Sequence, residues 1–343
     1  MMKAIQLERP GSFRTIQVDE PPSPAPGEVV VRVHQVGICG TDLGGYLGKM
    51  PFFSYPRIPG HELGVEVVAV GEGVTNVAVG DRCSVEPYLN CQKCHACRRG
   101  HTNCCHHNQT LGVHCDGGLR RLYTVPARKL HRSRSLGFDQ LALVETLAIG
   151  RHAVVRANPQ PGETVLVIGA GPIGLSVVEF AKISGARTVV MDMVEHRLAF
   201  VRDVMGVPDT ILAKGDASDI EALSALTGGD LAESVVDATG SNRSMSRALE
   251  FCSFAGRLVY VGITQAELGF AHAPFLHRRE LSILASRNAL PGDFRTIIDL
   301  IEAGRINTRP WITHRSDFDG MADRFPEWLR PETGVIKAMV AVD

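Results

Sequence analysis

The stretch Thr164-Val165-Leu166-Val167-Ile168-Gly169-Ala170-Gly171-Pro172-Ile173-Gly174 decides the fold of the second half of this chain. Its first five residues form a short apolar run typical of a buried strand, and its last six fit the pattern G-x-G-x-x-G. When a strand ends in such a turn and a helix follows, the first N–H groups of the helix face a pyrophosphate. Gly169 permits the tight turn, Gly171 lets a phosphate approach the backbone, and Gly174 allows close packing of helix on strand. The stretch therefore predicts a dinucleotide-binding site, although glycine-rich turns with a purely structural role are common.

The residue at the end of the next apolar run bears on the choice of cofactor. Asp192 lies 23 residues after Gly169, where an acid bonds the ribose hydroxyls of a bound dinucleotide. A carboxylate at this place also repels a 2′-phosphate, so we expect NAD rather than NADP. Arg197 lies five residues further on and would soften that preference.

Outward from this motif, short apolar runs alternate with helical patterns. The runs cover residues 188–191, 210–212, 235–237, 257–261 and 281–285, and a helix is predicted over 173–184. This alternation predicts a doubly wound parallel sheet of the α/β class. The first 145 or so residues are instead β-rich, with β-branched runs at 29–33 and 63–70. We expect one domain formed by 1–147 and 286–343, and a second formed by 148–285.

Composition limits the classes of protein to consider. The chain has 343 residues, of which 44% are hydrophobic and 21% charged, and its net charge is −1. This size fits about two domains, and the near-neutral charge argues against a nucleic-acid partner. No apolar run is long enough for a membrane span, and no signal-type run follows Met1. We expect a cytoplasmic protein with a small-molecule substrate and no membrane or nucleic-acid partner.

The cysteines are concentrated in one short segment. Five of the nine lie between Cys91 and Cys105, a clustering that favours metal over disulfides in a chain without an export signal. Four thiolates at short spacing can close a tetrahedron around one zinc and leave no open position, so the lobe 91–105 predicts a structural zinc site. The ligands are Cys91, Cys94, Cys97 and Cys105. Cys104 adjoins Cys105, and spacing alone leaves open which of the two binds. We expect the neighbouring His106 and His107 to be solvated.

A second set of ligand-type residues is dispersed along the first domain. Cys39-Gly40-Thr41-Asp42 follows one apolar strand, Gly60-His61-Glu62 begins another, and Glu145 lies near the predicted domain boundary. Singly, each has an ordinary interpretation: a buried thiol, a core histidine and a solvated helix residue. Their combination indicates a second metal site.

With these motifs in this order, the chain resembles the zinc-containing medium-chain alcohol dehydrogenases over essentially its whole length. The resemblance rests on Gly37–Asp42, Gly60-His61-Glu62, the four-cysteine lobe, Gly169–Gly174 and Asp192. It implies a GroES-like β-rich catalytic domain, a Rossmann coenzyme domain, NAD as cofactor and two zinc ions per chain, one catalytic and one structural. It also implies a homodimer or homotetramer, by analogy only.

The resemblance assigns roles to the dispersed residues. Cys39 and His61 become ligands of the catalytic zinc, and Asp42 orients His61. The third protein ligand is Glu62 or Glu145, with the other bonding a zinc water. Thr41 would pass on the substrate proton, because Gly44 stands where many relatives carry a relay histidine. Among the lobe cysteines, Cys105 rather than Cys104 matches the fourth structural ligand.

Three further segments are most similar to bacterial sugar-acid dehydrogenases. They contain Phe52, His114 and Arg287, which we expect to contact substrate. A planar guanidinium at Arg287 suits a carboxylate or two hydroxyls. The predicted substrate is a hexonate such as L-galactonate or L-gulonate, with a neutral polyol, threonine or a simple alcohol as alternatives. A zinc-free quinone or enone reductase and a zinc-ribbon binding module are the rival classes, and the metal-ligand residues and the near-neutral charge argue against them.

Overall fold

The computed structural model describes residues 1–342, and the chain divides into two compact units. One unit consists of Met1–Thr146 with Leu290–Asp343, and the other of Leu147–Ala289. The first segment of the first unit ends at Thr146, one residue before the expected 147. Its second segment begins at Leu290, after the expected 286. The residues that follow the last strand of the second unit stay with its sheet, since the N–H of Ser286 donates to the carbonyl oxygen of Tyr260 at 2.9 Å.

Seventeen strands occur in residues 1–342. They are β1 (Met2–Arg9), β2 (Ser12–Val18), β3 (Glu28–Ile38), β4 (Glu62–Val70), β5 (Arg82–Val85), β6 (Tyr88–Leu89), β7 (Gln109–Thr110), β8 (Leu122–Pro126), β9 (Leu130–Ser133), β10 (Thr164–Ile168), β11 (Arg187–Asp192), β12 (Thr210–Leu212), β13 (Ala232–Asp237), β14 (Cys252–Tyr260), β15 (Ser282–Ala285), β16 (Ile312–Asp317) and β17 (Lys337–Ala341).

Nine α-helices accompany these strands in the same range of residues. They are α1 (Gly40–Tyr46), α2 (His95–Arg98), α3 (Phe138–Ala157), α4 (Pro172–Ile183), α5 (Glu195–Asp203), α6 (Ser218–Thr227), α7 (Asn242–Arg247), α8 (Pro291–Glu302) and α9 (Met321–Arg324). Short 3₁₀ turns connect several elements, and a π-helical turn covers His272–His277. None of the helices within residues 1–342 has the length and apolar character that crossing a bilayer requires.

The second unit is built on a six-stranded sheet in the order β12-β11-β10-β13-β14-β15. All five neighbouring pairs are parallel, which confirms the doubly wound sheet expected from the sequence. The central strand β10 is buried along its whole length, as its unbroken apolar run predicts. Gly169 directly follows this strand and Pro172 begins α4, so the glycine turn joins strand to helix as expected.

The first unit is built on a seven-stranded sheet that contains β16-β17-β3-β4-β5-β9, with β8 paired to β3. Its core is formed by alternating β-branched residues of β3 and β4, including Val31, Val33 and Val65, all fully buried. In the register of the sheet, Gly37 on β3 pairs with Glu62 on β4, and Ile38 pairs with Ala338 on β17. The end of β3 and the beginnings of β4 and β17 therefore lie side by side at one end of these strands.

Candidate active site and metal centres

Three side chains expected to bind the catalytic zinc converge at this end of β3 and β4. Cys39 follows β3 and is the N-cap of α1, while His61 directly precedes β4 and Glu62 begins it. One ligand atom of each lies within 4.8 Å of the other two. Gly37 makes room for this arrangement, because a Cβ at that position would lie 2.1 Å from Oε2 of Glu62. Sulfur, nitrogen and carboxylate oxygen form a donor set suited to zinc, and three protein ligands leave a fourth position open.

Asp42 lies behind His61, as the resemblance implies. Its Oδ2 accepts a hydrogen bond from the backbone N–H of Cys39 at 2.9 Å, and its Oδ1 lies 3.8 Å from Nδ1 of His61. Both residues are buried, and at this distance neither Nδ1 of His61 nor Oδ1 of Asp42 has a hydrogen-bond partner within residues 1–342. Burial lowers the pKa of His61, but Asp42 and the Cys39 thiol outweigh it and raise that pKa well above its usual value. A buried imidazole among anionic groups fits a cation-binding site.

A buried lysine holds Glu62. Nζ of Lys337 lies 2.7 Å from both carboxylate oxygens of Glu62 and also donates to the hydroxyl of Thr146 at 3.1 Å and to the carbonyl oxygen of Ile38 at 3.3 Å. Lys337 is 1% exposed and Glu62 is 0% exposed. Burial lowers the pKa of Lys337, but the adjacent carboxylate of Glu62 raises it above its usual value. The ammonium of Lys337 therefore keeps its proton inside the domain.

Glu145 lies near this group but outside the set of three mutually close ligands. Glu145 is buried. From the sequence alone it could equally be a solvated residue on the surface of a helix. The hydroxyl of Tyr88 donates a hydrogen bond to Oε1 of Glu145. Burial raises the pKa of Glu145, while His61 and the Tyr88 hydrogen bond act in the opposite direction. Burial and the neighbouring Glu145 likewise raise the pKa of Tyr88 well above its usual value, so its phenol keeps its proton.

The four cysteines of the lobe form a second, separate cluster. The sulfur atoms of Cys91, Cys94, Cys97 and Cys105 all lie within 4.8 Å of one another. Backbone N–H groups point at these sulfurs: that of Cys94 lies 3.3 Å from Sγ of Cys91, and that of Cys91 lies 3.3 Å from Sγ of Cys105. Hydrogen bonds from the N–H groups of Cys97 and His106 lower the pKa of Cys94 to about 5. Burial acts the other way on Cys105 and raises its pKa to about 11. A closed set of four cysteine sulfurs fits a structural zinc.

The structure separates the residues whose roles the sequence left open. Cys105 is buried within the cluster, whereas Cys104 is exposed and lies outside it. His106 and His107 are exposed.

The glycine turn of the second unit borders a cavity of about 450 Å³, a size typical of small-molecule sites. Gly169, Gly171, Asp192 and Arg197 line it. Gly174 allows the close approach of helix and turn, since a Cβ there would lie 1.6 Å from the carbonyl oxygen of Gly169. The carboxylate of Asp192 accepts hydrogen bonds from the N–H groups of Ala170 at 2.6 Å and Val194 at 2.8 Å, and lies 3.8 Å from Nη1 of Arg197. These residues fit the ribose end of a dinucleotide.

Two of the residues expected to contact substrate lie together in the first unit. The rings of Phe52 and His114 are stacked with their centroids 6.3 Å apart, and both side chains are exposed. The segment that carries His114 packs against the residues before His61, because the N–H of Gly118 donates to the carbonyl oxygen of Gly60 at 2.9 Å. Arg287 is exposed in the segment that follows β15. Thr41 is partly buried in the first turn of α1.

Comparison with known proteins gives the family. Residues 25–135 match the alcohol dehydrogenase GroES-like domain, and residues 172–303 match the zinc-binding dehydrogenase domain. The chain is 38% identical to the L-galactonate-5-dehydrogenase of Escherichia coli K12 over 94% of each chain. This chain belongs to the zinc-containing medium-chain alcohol dehydrogenases.

Other members of this family show similar agreement. The sorbitol dehydrogenase of Halalkalibacterium halodurans is 30% identical over 91% of this chain and 92% of its own. A crystal structure of an alcohol dehydrogenase (rspB) from Escherichia coli CFT073, complexed with NADH, superposes with a TM-score of 0.91 at 31% identity and covers 99% of both chains. The GroES-like and Rossmann architecture expected from the sequence is thereby confirmed, and so is the assignment to the zinc-type dehydrogenases.

Sequence reasoning missed two residues of this medium-chain dehydrogenase site, Tyr88 and Lys337. Lys337 left a signal, since it is a charged residue in an otherwise apolar strand whose neighbours Ala338, Met339 and Val340 are all buried. A lysine in such a run needs a buried partner. Tyr88 left no comparable signal, because a tyrosine in a two-residue strand has no pattern that predicts its contact.

Proposed function

We propose that this chain oxidises a secondary hydroxyl of a sugar acid and transfers the hydride to NAD, with a catalytic zinc bound by Cys39, His61 and Glu62. The convergence of these three side chains carries the proposal, since it provides sulfur, nitrogen and oxygen donors at mutual distances within 4.8 Å. The buried Asp42 supports it by keeping His61 oriented. A structural zinc at the four cysteines completes the proposed metal content.

Each residue of the site has a defined task in this reaction. The chemistry that zinc supplies when bound is a lowered pKa of the hydroxyl it holds; for water the drop is from about 15.7 to about 7, on the order of 12 kcal/mol. Lys337 keeps Glu62 fixed through contacts of 2.7 Å to both oxygens. Thr41 accepts the substrate proton and passes it on, and the exposed rings of Phe52 and His114 border the substrate.

The cofactor is proposed to be NAD because of Asp192. Its carboxylate, held by two backbone N–H groups, faces the same cavity as the glycine turn. A negative charge at that place bonds ribose hydroxyls and repels the 2′-phosphate of NADP. Arg197 at 3.8 Å partly offsets this repulsion.

The sugar-acid substrate is supported by the L-galactonate-5-dehydrogenase relative and by the position of Arg287. Arg287 follows the carboxyl end of β15, and ligands of open parallel sheets bind outside the carboxyl ends of the strands. Arg287 is an exposed residue, and a guanidinium suits a hexonate carboxylate through two parallel hydrogen bonds. The sorbitol dehydrogenase relative makes a neutral polyol the second candidate.

The test is a comparison of kcat/KM for L-galactonate, L-gulonate, sorbitol, L-threonine and 2-butanol. Arg287→Lys should lower kcat/KM for the acids by about 10- to 150-fold, since a hydrogen bond to a charged group contributes about 1.5–3 kcal/mol. The same substitution should barely change kcat/KM for 2-butanol, which has no carboxylate. Arg278→Lys, which alters another exposed arginine of the same unit, is the matched control and should leave all five substrates unchanged. Sorbitol or threonine exceeding every aldonate by about tenfold, or about 1.4 kcal/mol, would end the sugar-acid proposal.

We also propose that the protein works in the cytoplasm as a homodimer or a homotetramer of two such dimers. All nine cysteines are free of disulfides, as a reducing compartment favours. Within residues 1–342, β15 pairs with β14 alone, and its Ile283 is exposed. The same strand of a second copy would cover this edge. Light scattering that gives the mass of a monomer at working concentration would contradict the proposal.

A further inference from the structure

Tyr88 on strand β6 is held against Glu145, the glutamate that lies outside the group of Cys39, His61 and Glu62. Tyr88 is 2% exposed, and its hydroxyl donates to Oε1 of Glu145. Its ring packs edge-on against Phe294 with 6.4 Å between the centroids, and Phe294 is fully buried. The phenol therefore has little freedom to move away from the carboxylate.

The residue that follows β6 anchors the strand on the side of the four-cysteine lobe. Two nitrogens of Arg128 donate to Asn90, one to its side-chain oxygen at 2.6 Å and one to its carbonyl oxygen at 3.0 Å. The side-chain amide of Asn90 in turn donates to Sγ of Cys97 at 3.5 Å. The lobe thus keeps the position of β6, and with it the position of Tyr88.

The two glutamates of the site are held in different ways. Glu62 is paired with the ammonium of Lys337. Glu145 has no cation at ion-pair distance within residues 1–342, and Tyr88 is its one side-chain hydrogen-bond partner there. Glu62 belongs to the group of three close ligand atoms and Glu145 does not. The tyrosine hydroxyl is thus the contact that holds the second carboxylate in its place.

We propose that Tyr88 is a positioning residue that keeps Glu145 out of the zinc ligand set, so that Glu62 is the direct ligand and the fourth position stays open for substrate. The inference rests on the proposed function. A catalytic zinc site needs an open position, whereas four protein ligands make a closed, structural site. Without the hydroxyl, the carboxylate of Glu145 loses its donor, and a carboxylate buried without one gains by binding a cation.

This role and a merely structural one predict opposite effects on the metal. Tyr88→Phe in the zinc-loaded full chain should slow the release of the catalytic zinc to a chelator by about tenfold and lower kcat by at least as much. A loosened site would instead release zinc faster. The Cys39→Ser variant supplies the release rate of the structural zinc alone, which is subtracted. The control Tyr123→Phe removes a hydroxyl that donates to the carbonyl oxygen of Asp116 at 2.7 Å in the same unit, and should change neither quantity.

A double variant tests whether Tyr88 acts through Glu145. Tyr88→Phe should have no further effect on zinc release in the Glu145→Ala background. The inference would be overturned if Tyr88→Phe released zinc at the wild-type rate or faster. It would also be overturned if the effects of Tyr88→Phe and Glu145→Ala on zinc release were additive. Neither result would contradict the proposed zinc-dependent dehydrogenase activity. A wild-type chain without zinc at Cys39 would overturn both. If Tyr88→Phe does not fold, the Glu145→Ala variant alone decides. Unchanged zinc release from Glu145→Ala supports the inference. Faster release overturns it, because the loss of a direct zinc ligand would have that effect.

Discussion

Lys337→Met should strongly destabilise the first unit, because it leaves the carboxylate of Glu62 buried without a partner. Both residues are at most 1% exposed, and two contacts of 2.7 Å join them. Removing one partner of such a pair costs about 3–5 kcal/mol. With about 2–4 °C per kcal/mol for domains of about 150–250 residues, the melting temperature should fall by about 6–20 °C.

The assay is thermal unfolding in a Cys39→Ser background, in which no catalytic zinc offsets the charge of Glu62. Adding Glu62→Gln to Lys337→Met should recover more than half of the loss, because the amide is neutral. The control is Lys3→Met, which breaks an exposed ion pair with Asp319 and should cost between zero and about 1 kcal/mol. A loss below about 1 kcal/mol for Lys337→Met, or no recovery in the double variant, would show that Lys337 does not compensate a buried charge on Glu62.

Two further substitutions separate the structural zinc from the cofactor site. Cys94→Ser should lower the melting temperature and promote aggregation without changing NAD affinity at mild temperature, because a closed four-thiolate site contributes folding energy. Cys104→Ser, at an exposed cysteine outside the cluster, should leave the melting curve as it is, and an unchanged curve for Cys94→Ser would contradict the structural-zinc assignment. Asp192→Ala should weaken binding of NAD far more than binding of NADP, since it removes both a ribose hydrogen bond and a repulsion. Dissociation constants measured for both cofactors decide this, and a preference that does not move would show that Asp192 is not at the ribose.

Local pattern was enough to predict the second unit. The run from Thr164 to Gly174 has both the apolar strand and the glycine turn within eleven residues, and each of the other five strands is a compact apolar run. The four-cysteine lobe is similarly local, because its ligands lie within fifteen residues of one another. Cys105 rather than Cys104 enters the cluster, and that detail depended on the resemblance to the family.

The arrangement of the two glutamates could not be predicted because it depends on pairing over long distances in the chain. Glu62 meets Lys337 across 275 residues, since β17 pairs with β3 and β3 pairs with β4. Tyr88 reaches Glu145 across 57 residues. No periodicity in the sequence shows that a lysine and a tyrosine each hold one carboxylate. The sequence therefore left open which glutamate binds zinc, and the three-dimensional register favours Glu62.

The most direct test of a catalytic zinc at Cys39 is the zinc content per chain of the wild type and Cys39→Ser, measured by elemental analysis on protein purified with zinc present. We expect two zinc ions per wild-type chain and one per Cys39→Ser chain, with less than about a tenth of the dehydrogenase activity left in the variant, a loss above about 1.4 kcal/mol. Two zinc ions in an active Cys39→Ser variant, or none in the wild type, would contradict it.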